Sequence, residues 1–166
     1  MAVTRARVAG HFGEFLQGRL GAEGPVVLVT LPCPALAVTA QRSPGQHLHL
    51  HGGGQRLLSP AHARAFLERL GLPARGRVNL RADMPVGGGA GASTAALVAL
   101  ARAGGFAGDP AQLARATVAT EGASDPLMFD APARLLWASR EGRILARPPA
   151  PPAFDVIGGF AGAPQR

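Results

Sequence analysis

Apolar and polar residues alternate along the first part of the chain in a way that predicts β-strands. Strand-like runs extend from Val3 to Ala9, from Pro25 to Leu31 and from Leu36 to Arg42. Residues 11–24, between the first two runs, mix glycine with charged and apolar residues and predict a partly structured connection. The beginning of the chain is therefore expected to be rich in strands.

A strict alternation of histidine and leucine follows in the stretch QHLHLH. It predicts a strand with Leu48 and Leu50 facing inwards and with His47, His49 and His51 facing outwards. Three histidines on one strand face could bind a metal ion, but no carboxylate or cysteine accompanies them. The pattern favours a solvated edge strand.

The next segment, SPAHARAFLERLGLP, predicts a helix with a clear beginning and end. Ser59 is the expected N-cap, Pro60 suits the first helical position, and Gly71 and Pro73 end the helix. One face is apolar and consists of Ala63, Phe66, Leu67 and Leu70.

A strand, a glycine-rich loop and a helix are predicted next. Val78, Leu80 and Ala82 alternate with polar residues up to Pro85, and a helix is expected from Ser93 to Phe106. Asp109 and Pro110 then begin another helix.

The last part of the chain predicts a hairpin followed by an extended segment. Glu141 and Gly142 supply a turn between two short apolar runs. The stretch RPPAPPA is typical of an extended connector, and FDVIGGF, residues 154–160, predicts the beginning of a new strand.

Length and composition fit one ordinary domain. The chain has 166 residues, of which 47% are hydrophobic, but its apolar runs are too short to span a bilayer. An apolar signal core does not follow the N-terminal arginines. Cys33 is the only cysteine, which fits a reducing compartment and a small buried side chain. We expect a soluble, cytoplasmic protein without membrane contacts.

The charge of +7 comes with 17 basic residues, all of them arginine. They are scattered along the chain without interleaved aromatic residues, so a basic stripe is not predicted. An anionic ligand would explain the charge as well as nucleic acid would, and we do not expect nucleic acid as a partner.

The stretch PVGGGAGASTA, residues 85–95, has the composition of a phosphate-binding loop. Glycines allow positive φ and let backbone N–H groups approach an anion, and a helix that begins directly afterwards adds free amides and its positive dipole end. A Walker-type P-loop requires a lysine, which this chain lacks.

Two other interpretations of the loop remain open on the residues alone. Gly87, Gly89 and Ala92 formally match the dinucleotide fingerprint G-x-G-x-x-A, although the loop lies in mid-chain and begins with proline. A glycine-rich turn that only packs closely on its neighbours is the other interpretation.

Three stretches carry a resemblance to a known family. PVGGGAGASTA resembles the second signature of the GHMP kinase superfamily, P-x-x-x-G-[LA]-G-[SA]-S-[AST]-A, and GHFGEFLQG, residues 10–18, is similar to the GELIQG signature of the L-threonine kinases linked to propanediol utilisation and cobalamin synthesis. The segment ATEGASDPLMFDAPARLLWASREG, residues 119–142, looks like the corresponding segment of that group. In the second signature the matching positions are Pro85, Gly89, Gly91, Ser93 and Ala95.

The resemblance implies an α+β fold, the GHMP kinase N-terminal domain, which is related to domain 2 of a ribosomal protein and contains a left-handed βαβ unit. Residues 1–147 would form this ATP-binding domain. Residues 148–166 would form the proline-rich connector and the start of a C-terminal domain that is truncated or absent. A strand cut off from its partners would expose apolar surface and favour a homodimer.

The implied activity is an ATP-dependent kinase that phosphorylates a hydroxyl of an amino-acid-like substrate, with L-threonine as the leading candidate and ATP and Mg²⁺ as cofactors. If the chain is complete as it stands, catalysis is not expected. The alternative is a catalytically incomplete nucleotide-binding or RNA-binding module of the same fold.

The resemblance also implies roles for individual residues. Ser93 and Glu121 would bind Mg²⁺, although a plain N-cap and an exposed glutamate are the simpler alternatives. Thr94 would donate to a phosphate or face the preceding strand. The expected ATP-binding residues are Pro85, Gly87, Gly88, Gly89, Ala90, Gly91, Ala92, Ser93 and Thr94.

Asp125 is the candidate to accept or steer the proton of the substrate hydroxyl, and a turn aspartate before Pro126 is the alternative. Glu121 and Asp125 lie further apart than in the threonine-kinase pattern. Glu14 and Gln17 would bind an amine or hydroxyl of the substrate. His11 replaces a different residue of that pattern and has no expected role.

Overall fold

One mixed sheet of six strands carries the fold in the computed structural model, which describes residues 3–160. The strands are β1 (Thr4–Arg19), β2 (Val26–Ser43), β3 (Leu48–His51), β4 (Gly76–Ala82), β5 (Leu136–Ala138) and β6 (Arg143–Ala146). The helices are α1 (Pro60–Arg69), α2 (Ala92–Ala103) and α3 (Pro110–Glu121), together with a single 3₁₀ turn (Pro132–Arg134). The strand order is β3-β4-β2-β5-β6, and β1 pairs with β2.

The long hairpin of β1 and β2 differs from the sequence-based expectation. The predicted connection at residues 11–24 is wrong in its first part, because β1 continues to Arg19. The two runs predicted at residues 25–31 and 36–42 form one strand, β2. The pairing of β1 with β2 shifts register after Ala9, between His11 and Glu14, and again before Leu16. Such bulges break the alternation of side chains, so periodicity alone could not predict this strand.

The segment from β3 to β4 forms a parallel β-α-β unit, as β3 pairs parallel to β4. The prediction for α1 is confirmed, since the hydroxyl of Ser59 accepts the N–H of His62 at 3.1 Å. The edge-strand prediction is also confirmed, because β3 pairs with β4 alone in the described chain and His49 and His51 are exposed.

The core lies between the helices and one face of the sheet. Helix α2 crosses β1, β2 and β4, and almost all of its residues are buried. Alternate residues of β4 face this core, namely Val78, Leu80 and Ala82. Burial of such apolar side chains contributes roughly 25 cal/mol per Å² removed from water. Cys33 lies in β2 and is half-buried.

The opposite face of the sheet is basic, which corrects the expectation that the arginines form no stripe. Cross-strand pairing places Arg5, Gln41 and Asn79 in one row across β1, β2 and β4, and Arg7, Thr39 and Arg81 in another. We call Arg5, Arg7, Arg77 and Arg81 the outer sheet face, and all four are exposed. The sequence did not predict this stripe, because the four residues come from two strands that are far apart along the chain.

Strands β5 and β6 form the predicted hairpin, but the strand predicted at residues 154–160 is wrong. That segment has no regular secondary structure. The ring of Phe154 packs against Phe15 with centroids 5.2 Å apart, and Phe160 packs against Phe12 at 5.6 Å. The segment therefore offers no strand edge, but its apolar side chains, Ile157 above all, are exposed, and the homodimer stays a prediction. Among the described residues, every helix is too short or too polar to cross a membrane.

Candidate active site

The glycine-rich loop leads directly into the N-terminus of α2. Gly87, Gly89 and Gly91 have φ of 79°, 69° and 68°, a region that disfavours other residues. Gly91 is the N-cap, and a side-chain hydrogen bond does not cap this end of α2. The predicted start at Ser93 is one residue late, because the helix begins at Ala92. The first-turn amides of α2 therefore remain available to an anion.

The loop also packs tightly against β1. The carbonyl of Ala90 accepts the N–H of His11 at 3.2 Å. A Cβ at Gly91 would lie 2.5 Å from Cδ2 of His11, and a Cβ at Gly10 would lie 2.5 Å from the oxygen of Ala90. Close packing thus explains two of the glycines, and it holds the loop beside the first signature.

The dinucleotide-binding interpretation does not fit this topology. That fingerprint joins two parallel strands through the helix that follows the loop. Here α2 is followed by α3, and the next strand, β5, pairs antiparallel with β2.

Ser93 and Glu121 meet beside the loop. Ser93 is the second residue of α2 and Glu121 is the last residue of α3, and the Ser93 hydroxyl donates to Oε1 of Glu121. The hydroxyl therefore does not cap α2, which removes the simpler explanation of Ser93. Desolvation raises the pKa of Glu121, and the hydrogen bond from Ser93 opposes this shift. A hydroxyl and a carboxylate together fit a magnesium ion, which prefers oxygen ligands.

Asp125 lies in the loop after α3, and two neighbours fix its backbone. Its own N–H donates to Oγ1 of the buried Thr94 at 3.4 Å. A hydroxyl that accepts one hydrogen bond can still donate its own proton, so the expected contact of Thr94 with a phosphate stays a prediction. The preceding residue, Ser124, donates its N–H to the carbonyl of Ser139 at 2.9 Å and accepts the indole N–H of Trp137 at 2.6 Å. The buried Trp137 thus anchors the loop that carries Asp125.

His11 is the site residue that sequence reasoning did not assign. It is only 4% exposed, and its Nε2 lies 3.2 Å from Oδ2 of Asp125. Its Nδ1 accepts the N–H of Gly13 at 3.1 Å and lies 3.7 Å from Oε1 of Glu14. Burial lowers the pKa of His11, but the hydrogen bond and charge of Asp125 and the charge of Glu14 outweigh it, so the pKa is raised. Its place three residues before Glu14, inside the first signature, was the available signal.

The two residues expected to bind substrate are separated in the structure. Glu14 is half-buried beside His11, and desolvation raises its pKa, while the charge of His11 lowers it and that of Asp125 raises it. Gln17 lies opposite Leu28 at an exposed position and takes no part in these hydrogen bonds.

Four titratable residues thus converge from β1, the end of α3 and the loop after it. We call His11, Glu14, Glu121 and Asp125 the site cluster. Within residues 3–160, the ligand atoms of His11, Glu14 and Asp125 all lie within 4.8 Å of one another.

Comparison with known proteins supports the fold. No protein-family model and no curated protein matches the sequence. A solved structure described as a phosphotransferase related to the CoA biosynthesis pathway aligns over 72% of this chain and 45% of its own, with 20% identity and a TM-score of 0.50. A mevalonate diphosphate decarboxylase from Legionella pneumophila aligns over 84% and 52%, with 11% identity and a TM-score of 0.51. The chain therefore spans about half the length of these structures, and its α+β architecture corresponds to part of the GHMP kinase fold.

Proposed function

We propose that this protein is an ATP-dependent kinase of the GHMP type that phosphorylates a hydroxyl of an amino-acid-like substrate, with L-threonine as the first candidate. One observation carries the proposal: the glycine-rich loop, the Ser93–Glu121 pair and Asp125 adjoin one another at the N-terminus of α2.

The loop would hold the phosphates of ATP through backbone groups. Positive-φ glycines and the uncapped start of α2 supply amides and a positive dipole end. This arrangement needs no lysine, and the chain has none. The proposed contacts are Pro85, Gly87, Gly88, Gly89, Ala90, Gly91, Ala92, Ser93 and Thr94. The hydroxyl of Thr94 would donate to a phosphate while it accepts the N–H of Asp125.

Ser93 and Glu121 would hold Mg²⁺, which neutralises charge on the phosphates when it is bound. The raised pKa of Glu121 supports this assignment, because a nearby cation relieves the cost of an ionised, desolvated carboxylate. A glutamate at a helix C-terminus also opposes the dipole, so a role in stability is a poor explanation for it.

Asp125 would orient the attacking hydroxyl of the substrate. As the bond between that oxygen and the γ-phosphorus forms, the bond from the γ-phosphorus to the β,γ-bridging oxygen breaks, and the hydroxyl proton passes to the Asp125 carboxylate. The anchor through Ser124 and Trp137 supports this role, since phosphoryl transfer depends mainly on positioning.

Glu14 would bind the ammonium group of the substrate. It is half-buried, and it lies beside His11, which in turn contacts Asp125. This places Glu14 near the proposed position of the substrate hydroxyl. A carboxylate here favours a cationic group over a second anion. Gln17 remains the weaker assignment because it stands apart from the cluster.

The proposed domain division assigns residues 1–147 to the ATP-binding part and residues 148–166 to a connector leading to a second domain. The similar solved structures are about twice as long as their match to this chain. The complete enzyme is therefore the proper material for activity measurements.

The direct test is a phosphoryl-transfer screen. The full-length protein is incubated with ATP, Mg²⁺ and L-threonine, L-serine, L-homoserine or a diol without an amino group, and the phosphorylated product is measured. We expect transfer to an amino-acid alcohol and little transfer to the diol. ATP-dependent product from none of these alcohols would contradict the proposal.

A second candidate, the RNA-binding module, gains support from the outer sheet face, where four exposed arginines lie on β1 and β4, the two strands that both pair with β2. It predicts that labelled RNA binds at about physiological salt and that binding is lost when Arg77 and Arg81 become glutamine. The kinase proposal predicts only weak binding that disappears at that salt concentration.

A further inference from the structure

His11 occupies the centre of the site cluster without an assigned role. It is buried, it contacts Asp125 through one ring nitrogen, and its backbone N–H binds the glycine-rich loop at Ala90. A side chain that joins the loop to the proposed proton acceptor is well placed to affect the reaction.

The hydrogen bonds fix the protonation pattern of the ring. Since Gly13 donates to Nδ1, the proton of the neutral ring lies on Nε2, which is 3.2 Å from Oδ2 of Asp125. Uptake of a second proton at Nδ1 would break the hydrogen bond from Gly13, bring the new N–H towards Glu14 and leave the Nε2–H unchanged. His11 therefore donates to Asp125 in both protonation states.

The same pattern argues against a metal ion held by His11, Glu14 and Asp125. A neutral imidazole ligand binds a metal through one nitrogen and carries its proton on the other. Here Nδ1 accepts the N–H of Gly13. A metal at Nε2 would put the ring proton on Nδ1, so the Nδ1–H and the N–H of Gly13 would point at each other. A metal at Nδ1 would have to displace Gly13.

We propose that His11 is a positioning residue for phosphoryl transfer: its Nε2–H holds Oδ2 of Asp125 and thereby directs the other carboxylate oxygen to the attacking hydroxyl. This inference rests on the proposed kinase function. It deepens that function by naming the group that orients the proton acceptor. The tight packing of His11 on Gly91 fixes the ring relative to the loop.

Several charged groups surround His11, and a test of its role must separate their effects from its own. Asp125 and Glu14 face the ring, and the charge of Asp125 also raises the pKa of Glu121 at the end of α3. His62 on α1 adds a charge near Glu121. A positioning role predicts an effect on kcat that depends on the donor at Nε2 and not on the ring charge.

Two substitutions separate these effects. In His11→Gln the side-chain amide can place an N–H near the position of Nε2, whereas His11→Leu keeps comparable bulk without a donor. We expect kcat to fall by about 10- to 100-fold in His11→Leu, with the KM for ATP nearly unchanged. His11→Gln should restore most of kcat and remove the part of the pH profile due to the ring. His49→Gln, on the exposed edge strand, is the matched control.

A spectroscopic measurement keeps the inference testable if the kinase proposal fails. The ¹⁵N shifts of the His11 imidazole, measured in the full-length protein, should show the proton on Nε2, and Asp125→Asn should lower the pKa of His11. If no alcohol is phosphorylated but these shifts appear, the His11–Asp125 pair stands and the kinase function fails.

The inference is overturned by any of three results. They are a His11→Gln variant no more active than His11→Leu, an imidazole with its proton on Nδ1 alone, or binding of Zn²⁺ or Mn²⁺ that requires His11. Should His11→Leu fail to fold, the kcat of His11→Gln relative to the wild type and the ¹⁵N shifts still test the positioning role of His11.

Discussion

On the outer sheet face, four arginines stand at alternate strand positions and remain exposed. The site cluster instead gathers its charges from different elements, with His11 buried, Glu14 and Asp125 half-buried and only Glu121 exposed. Strand periodicity is enough to produce the first arrangement. The second has no periodic cause and has an energetic cost, since Glu14 and Glu121 both have raised pKa values.

The two regions also differ in how their side chains are held. On the outer face, Arg7 approaches Asp83 at 4.0 Å with both side chains about half exposed, a geometry that contributes little. In the site cluster, His11 and Asp125 are fixed by backbone hydrogen bonds from Gly13 and to Thr94. The exposed arginines stay solvated, so they add no desolvation cost and need no functional explanation. The site carboxylates are desolvated and held in fixed positions, which is typical of functional sites.

The largest expected effect is that of Asp125→Asn. We expect kcat to fall by about 100-fold or more, because the amide cannot accept the hydroxyl proton. Steady-state kinetics on the full-length enzyme measure it. Asp130→Asn, an exposed acid in the same loop, is the matched control and should stay near wild type. Equal losses in both variants would contradict the assigned role.

Gly91→Ala should destabilise the fold more than Gly89→Ala. Both glycines have positive φ, but only at Gly91 would a Cβ collide with His11. We expect a loss of about 1 to 3 kcal/mol from backbone strain at each site, with the additional clash at Gly91. Urea unfolding of the two variants measures the difference. Equal free energies of unfolding would show that the loop does not press against His11.

Glu121→Gln should raise thermal stability at neutral pH. Because the folded-state pKa of Glu121 is raised, ionisation costs stability as the pH rises from about 4.5 through the raised value. The gain in melting temperature should therefore shrink and vanish below about pH 4.5. Melting curves across pH measure it, with the exposed Glu68→Gln on α1 as control. A gain that does not depend on pH would contradict the cause given.

The smallest effect is expected on the outer sheet face. Replacing Arg77 and Arg81 with glutamine should change the free energy of unfolding by no more than about 0.5 kcal/mol per residue and should leave kcat unchanged. Unfolding curves and kinetics measure both. A large loss of activity would show that the basic face takes part in the reaction and would remove the contrast between the two regions.

Local sequence signals predicted the elements whose cause is local. The Ser59 cap, the alternation of β4 and the glycine-rich loop before α2 lie where the residues indicated. Long-range pairing could not be predicted in the same way: β1 continues through its bulges only because β2 lies alongside it, and the predicted last strand fails because it finds no partner among the described residues.

The candidate site shows the same limit. Resemblance selected Ser93, Glu121 and Asp125 as separate residues, but their meeting depends on the packing of α2 against α3 and on the Trp137 anchor. A role for His11 could be proposed only from the structure, where its ring lies beside Asp125. The sequence therefore predicted which residues could carry the chemistry, whereas the contacts between distant segments could be identified only from the structure.

The most direct test of the account is an ATP titration by calorimetry on the full-length protein, with and without Mg²⁺, for the wild type, Ser93→Ala, Glu121→Gln and the control Glu68→Gln. We predict that Mg²⁺ tightens ATP binding of the wild type and the control by about tenfold or more, or roughly 1.4 kcal/mol, and that both site variants lose most of this gain. Equal ATP affinity with and without Mg²⁺, or a gain that survives in Ser93→Ala and Glu121→Gln, would contradict the account.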